Sequence, residues 1–89
     1  MKSIGEPKEN YRKAFKYAES EDYKSAITYF SRAIDINPEY MDAFFARAHC
    51  YSALGEYTNS IADYSKVIEH NPKFTRAFFN RGYAYQGLH

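Results

Sequence analysis

Two places in the sequence gather side chains able to do chemistry, and neither has the spacing for it. His49 and Cys50, a base and a thiol, are immediate neighbours. On a helix, successive side chains point about 100° apart, so the pair cannot converge on one substrate atom as a nucleophile and its base must. A small helix-packing cysteine beside an outward-facing histidine accounts for it. Glu19, Glu21 and Asp22 gather carboxylates where one helix gives way to the next. There such residues serve as caps and solvated turn groups, whereas a metal needs ligands convergent in space. There is no glycine-rich phosphate loop, no His or Cys ligand spacing and no acid pair with an evident pocket. The residues therefore predict no catalysis, no metal and no cofactor. Aromatic surface is plentiful instead: ten Tyr and seven Phe in 89 residues.

Those aromatics need a fold to hold them, and composition bounds which one. With 45% hydrophobic residues the chain carries too much apolar payload for a disordered tail. At this length, however, a single compact core buries only about 60% of the unfolded surface and is marginal. Twelve basic residues against eleven acidic ones, interleaved, give a net charge of +1 and no stripe for DNA, RNA or an anionic membrane. One cysteine cannot build a disulfide framework and fits a reducing compartment. Residues 1–6 lack the apolar core of a signal peptide, and no stretch approaches the ~20 apolar residues of a membrane span. A soluble cytoplasmic or nuclear protein is the expectation, without nucleic-acid or membrane partners.

A repeat resolves the marginal-core problem. Asn37-Pro38 and Asn71-Pro72 lie 34 residues apart, and Ala14, Tyr17, Tyr23, Ile27, Ser31 and Ile34 recur at the same offset as Ala48, Tyr51, Tyr57, Ile61, Ser65 and Ile68. A further shift carries Ala43-Phe44-Phe45, Arg47, Tyr51 and Leu54 onto Ala77-Phe78-Phe79, Arg81, Tyr85 and Leu88. Within each unit the apolar residues step by three and four, as in Ala26, Ile27, Phe30, Ala33 and Ile34, which is helical spacing. Pro7 suits a first helical turn, Asp22 an N-cap and Gly55 a helix C-terminus. Each Asn-Pro ends one helix and leads into another. Five helices follow, over roughly 7–20, 23–36, 40–54, 57–70 and 74–88. Ala14, Ala26, Ala33, Ala48 and Gly82 would let facing helices approach closely. Tyr17, Phe30, Tyr51, Tyr64 and Phe78 would fill the spaces between hairpins.

The order of small residue, Tyr, Tyr, Ala, aromatic, Ala and Pro resembles the tetratricopeptide repeat. The first unit supplies Ala14, Tyr17, Tyr23, Ala26, Phe30, Ala33 and Pro38. The second has Phe44, Ala48, Tyr51, Tyr57, Ser60, Tyr64, Val67 and Pro72, and the third starts with Phe78, Gly82 and Tyr85. Asn10 and Lys13 depart from the family's large apolar residues and should slightly weaken the first helix. Arg47 and Arg81 stand where Leu is commoner. The resemblance implies an all-α, right-handed α-solenoid of antiparallel hairpins: a lead-in over 1–6, units over 7–40 and 41–74, and the first helix of a third over 75–89, as in a fragment of a longer protein. The face of that last helix with Phe78, Tyr85 and Leu88 would be uncovered and able to drive self-association.

In this family the first helix of each hairpin lines a concave face where partners lie. Carried onto this sequence by helical geometry, that face comprises Lys8, Tyr11, Phe15 and Glu19, then Asp42, Phe45, His49 and Ser52, then Arg76, Phe79, Tyr83 and Gln86. Five of these are aromatics that the repeat's packing pattern does not require, and clustered exposed aromatics mark binding surfaces. Family members that grip a heat-shock protein's C-terminal carboxylate use Lys, Asn and Arg there. The matching positions here are Tyr11, Phe15, Ala46, Arg76 and Asn80, of which only Arg76 keeps a comparable charge. The resemblance thus implies a protein–protein interaction module for a peptide or helix of apolar character, in an adaptor, scaffold or co-chaperone role. A regulatory or targeting segment of a larger enzyme, and self-assembly by repeat stacking, are the alternatives.

Overall fold

Residues 6–89 are described by the structure, a computed structural model; of the expected lead-in over 1–6, all but Glu6 lies outside the described residues. Five helices follow one another: α1 (Pro7–Glu19), α2 (Tyr23–Ile36), α3 (Met41–Ala53), α4 (Tyr57–His70) and α5 (Thr75–Gly87). Each packs on its chain neighbours, and first helices of successive hairpins (α1 with α3, α3 with α5) also touch. The result is an elongated slab of 47 × 27 × 17 Å.

Local chemistry sets the helix ends. Pro7 occupies the first turn of α1, and the Glu9 carboxylate accepts from the Glu6 backbone N–H at 3.4 Å. Asn10, a departure expected to weaken this helix, is instead 8% exposed and donates its amide to the Glu6 carbonyl at 3.1 Å. It thereby ties down the first turn. Asp22 caps α2 by accepting from the Ser25 N–H at 3.3 Å. The turns within the two hairpins are built alike: the Asp22 N–H donates to the Tyr17 carbonyl, and the Glu56 N–H to the Tyr51 carbonyl. Both pass through a left-handed residue, Gly55 at φ 79° in the second and Glu21 at φ 63° in the first. That conformation is free for glycine and strained for glutamate. Between hairpins the Asn37 and Asn71 side chains accept from the N–H two residues on, turning the chain before each following helix.

Small residues make the seams, as expected: Ala14, Ala26, Ala33, Ala43, Ala48 and Ala77 are fully buried. Phe30 and Tyr64 fill the space beside them at 0% and 2% exposure. Three positions differ from expectation, and a fourth makes a close approach instead. Gly82 meets nothing within 4 Å of where a Cβ would be, so it marks no close approach. Gly87 does: a Cβ there would fall 2.5–2.7 Å from the Tyr57 ring, which lies across the end of α5. Tyr17 and Phe78, expected as spacers between hairpins, are 37% and 43% exposed.

Arg47 is the largest surprise in the interior. Its guanidinium donates from both Nε and Nη2 to the Asp63 carboxylate at 2.8 Å each, and from Nη1 to the Ser31 hydroxyl at 2.9 Å. This one side chain on α3 ties α2 of one hairpin to α4 of the next. Burial works against the charge, but the hydrogen bonds and charge of Asp63 outweigh it, holding the guanidinium above its ordinary pKa. A residue read as a departure from leucine is therefore a polar crosslink between repeats.

Candidate peptide-binding face

The first helices α1, α3 and α5 carry three rows of side chains at the 34-residue spacing: Lys8, Asp42, Arg76; Tyr11, Phe45, Phe79; and Phe15, His49, Tyr83. Because each row repeats a single helical position, the rows run across the hairpins rather than along any one helix.

The rows differ in how much they leave free. Tyr11 is half-buried, its ring 5.5 Å from Phe30 and 5.3 Å from Tyr40. Phe45 likewise stacks on Phe74 at 4.9 Å and meets Tyr64 edge-on at 5.6 Å. These two, expected as aromatics the packing could spare, are partly spent on packing. Tyr40 and Phe74 hold them, occupying the N-caps of α3 and α5. Sequence reasoning passed over both, although their shared 34-residue offset was the available signal. Phe79, by contrast, is 64% exposed and Tyr83 61%, their rings edge-to-face at 5.1 Å, over a shallow hollow of about 350 Å³. Phe15 is 47% exposed and stacks against Tyr11 at 6.2 Å. His49 is exposed.

Charge on the face is local and mixed. The Arg76 guanidinium lies 5.6 Å over the Phe45 ring. Near the start of α1, Lys8, Arg12, Tyr40 and Asp42 line a cleft of about 710 Å³ together with Glu6 and Glu9. Burial first, and then the Asp42 charge, push the hydroxyls of Tyr11 and Tyr40 above the ordinary tyrosine value. Both are neutral hydrogen-bonding groups throughout the physiological range. Burial pushes the Tyr64 hydroxyl above the ordinary tyrosine value, and the nearby Asn80 side chain acts in the opposite sense. Asn80 is half-buried, and Ala46 offers no polar group.

His49 and Cys50 diverge as helical geometry demands. Cys50 is 1% exposed and its thiol is pushed up to about 11 by burial, so it is a packing group and not a nucleophile. Among the described residues, no helix is long and apolar enough to cross a membrane.

Known proteins share this architecture. The tetratricopeptide repeat family model matches residues 7–40 and again 42–74. A crystal structure of the MamA protein superposes with a TM-score of 0.90 at 30% identity, over 93% of this chain and 45% of that one. The TPR2B domain of yeast Sti1 in its pHsp70 complex gives 0.86 at 26% identity, over 92% of this chain and 66% of that one. The first TPR of Spaghetti (RPAP3) bound to the HSP90 peptide SRMEEVD gives 0.87 at 24% identity, over 92% and 65%, a likeness of fold alone. The chain spans less than two thirds of the length of each of these neighbours. No curated protein sequence matches significantly.

Proposed function

Because the chain belongs to the tetratricopeptide repeat family, whose members generally mediate protein–protein interaction, we propose that it docks a partner peptide along the face of α1, α3 and α5. The observation that carries this is the exposed Phe79–Tyr83 pair beside a hollow, on the same rows as Phe45 and His49. Large aromatics left in water on one face have much to gain from a ligand and little side-chain entropy to lose.

The chemistry of the occupant follows from the row residues. Of the neighbouring folds, one is bound to an HSP90 peptide ending in Glu-Glu-Val-Asp and another is in a pHsp70 complex. Gripping such a terminus takes convergent cationic and amide donors. Here the corresponding positions offer Tyr11, Phe15, Ala46, Arg76 and a half-buried Asn80, with Arg76 laid over Phe45. The face instead suits an extended or helical peptide that inserts apolar or aromatic anchors between Phe15, Phe79 and Tyr83. Lys8, Asp42 and Arg76 would add charge selection.

A peptide array screened with the wild type and with a Phe79→Ala/Tyr83→Ala variant tests this. Both rings are mostly exposed, so the variant keeps its fold, whereas Phe45→Ala would open the interior beside Tyr64. Apolar-anchored peptides should bind the wild type and lose about tenfold or more in the variant. Binding confined to peptides ending in Glu-Glu-Val-Asp, or unaffected by the double substitution, would refute the assignment.

A further inference from the structure

The row of charges on the candidate face alternates in sign. Lys8 on α1, Asp42 on α3 and Arg76 on α5 repeat one helical position at the 34-residue spacing, and all three are exposed. None of them forms an ion pair among the described residues. Their face runs across the hairpins, so further helices stacked at either end of the array would lengthen it and leave it open.

Asp42 and Arg76 are each set among aromatic rings. Burial, and then the Asp42 charge, raise the Tyr11 and Tyr40 hydroxyls, which puts the carboxylate near both rings. Those rings lie 5.3 Å apart and can cover the methylene stem of a lysine or arginine. The cleft that Tyr40 borders, about 710 Å³, carries three carboxylates (Glu6, Glu9 and Asp42) against two cations (Lys8 and Arg12), a balance that favours a positive guest. One first helix further on, Arg76 lies 5.6 Å over the Phe45 ring, which holds its guanidinium at a fixed place on the face. The α5 segment contains no acidic residue to neutralise it.

We propose that the peptide docked on this face is read by a register of opposite charges: a Lys or Arg against Asp42 and, three residues away, an Asp or Glu against Arg76. This register, which rests on the docking role proposed above, makes the occupant a peptide of apolar anchors and alternating charge. First helices of successive hairpins touch. Packed helices lie about 8–10 Å apart, a distance that about three residues of extended chain cover. In a polyproline-like chain, with about three residues per turn, both charges point the same way. A second acidic residue, three positions beyond the basic one, would fall opposite Lys8. A run of consecutive acids sets one of them over Asp42, so an acidic tail is selected against.

The probe is a set of fluorescein-labelled, capped dodecapeptides with the same Leu and Phe anchors, one Lys and one Glu, differing only in the order and spacing of the two charges. Fluorescence anisotropy with the full chain should favour a spacing of three residues in one of the two orders. The preference over the reverse order, and over spacings of one or five, should be about threefold to fivefold. Asp42→Asn and Arg76→Gln should each abolish that preference, and the charge swap Asp42→Lys/Arg76→Glu should invert it. Both side chains are exposed, so helicity should be unchanged, and an inverted preference is a gain that misfolding cannot produce. Equal affinity for every arrangement, or the same preference in the swapped protein, would overturn the register while leaving the docking face in place. Failure of the whole set to bind, or binding indifferent to Phe79→Ala/Tyr83→Ala, would overturn the docking role and the register with it.

Discussion

Replacing Asp63 by alanine should cost this protein more than any surface change, because it strands Arg47. The Asp63 side chain is 7% exposed and that of Arg47 18%. After the substitution the guanidinium keeps only the Ser31 hydroxyl of its former partners. Breaking a buried pair from one side costs about 3–5 kcal/mol, and the residual access of Arg47 to water places the loss near the lower figure, about 3 kcal/mol. An 89-residue fold holds on the order of 4–13 kcal/mol in all. With a urea slope of about 1.5 kcal/mol/M, the midpoint falls by about 2 M. The double substitution Arg47→Leu/Asp63→Leu removes both charges and should recover to within about 1 kcal/mol of the wild type. Far-UV circular dichroism and tyrosine fluorescence should be followed together, since coincident curves license a two-state free energy for a repeat array. A single-substitution cost below about 1 kcal/mol, or a wild-type pair that weakens steeply between about 0.1 and 1 M salt, would place the pair among solvated surface bridges. Either result would refute the reading of Arg47 as an interior crosslink.

The remaining predictions concern glycine and alkaline pH. Gly82→Ala adds a methyl in open space mid-helix and should raise stability by about 0.5–1 kcal/mol, whereas Gly87→Ala must push the Tyr57 ring aside and should lower the thermal midpoint. Opposite signs in one melting experiment support the packing at α5, and equal signs contradict it. The folded Cys50 pKa of about 11 lies above its ordinary value near 9, so the fold favours the neutral thiol. Its contribution is fully present below about pH 9 and is lost towards pH 11, as the unfolded chain ionises first; burial shifts Tyr64 in the same sense. A thiol reagent at pH 8 should therefore label Cys50 only as fast as the chain opens, and immediate labelling of native protein would contradict the burial.

The 34-residue period made most of the fold legible, because identity of residue at a fixed offset reports identity of environment. The second helices α2 and α4 span 23–36 and 57–70 as expected, and the first helices differ by one residue at one end (α1) or at both (α3 and α5). Position-averaged reasoning failed where a residue departs from the family's usual type. Arg47 cannot be told from a solvated arginine until Asp63 and Ser31 are seen on two other helices. Gly82 was expected at a close approach that Gly87 makes instead, because a glycine's letter does not say which neighbour comes near. On the candidate face, spacing gave the rows but not the division of labour within them. Tyr11 and Phe45 are claimed by Tyr40 and Phe74, which lie in the turns and therefore outside any helical periodicity.

Packing restricted to helices one or two steps apart in the chain has a consequence for synthesis. Every contact closes over a short stretch, so each helix finds its neighbour soon after it emerges, without waiting for distant sequence. At about 5–20 residues per second, the sixteen residues from Arg47 to Asp63 take about 1–3 s to appear. Ser31 precedes Arg47 in the chain, so the guanidinium's partner on α2 is synthesised before its partner on α4. Arrival of Asp63 then locks the second hairpin to the first. Order of synthesis and order of contact therefore run together along the array.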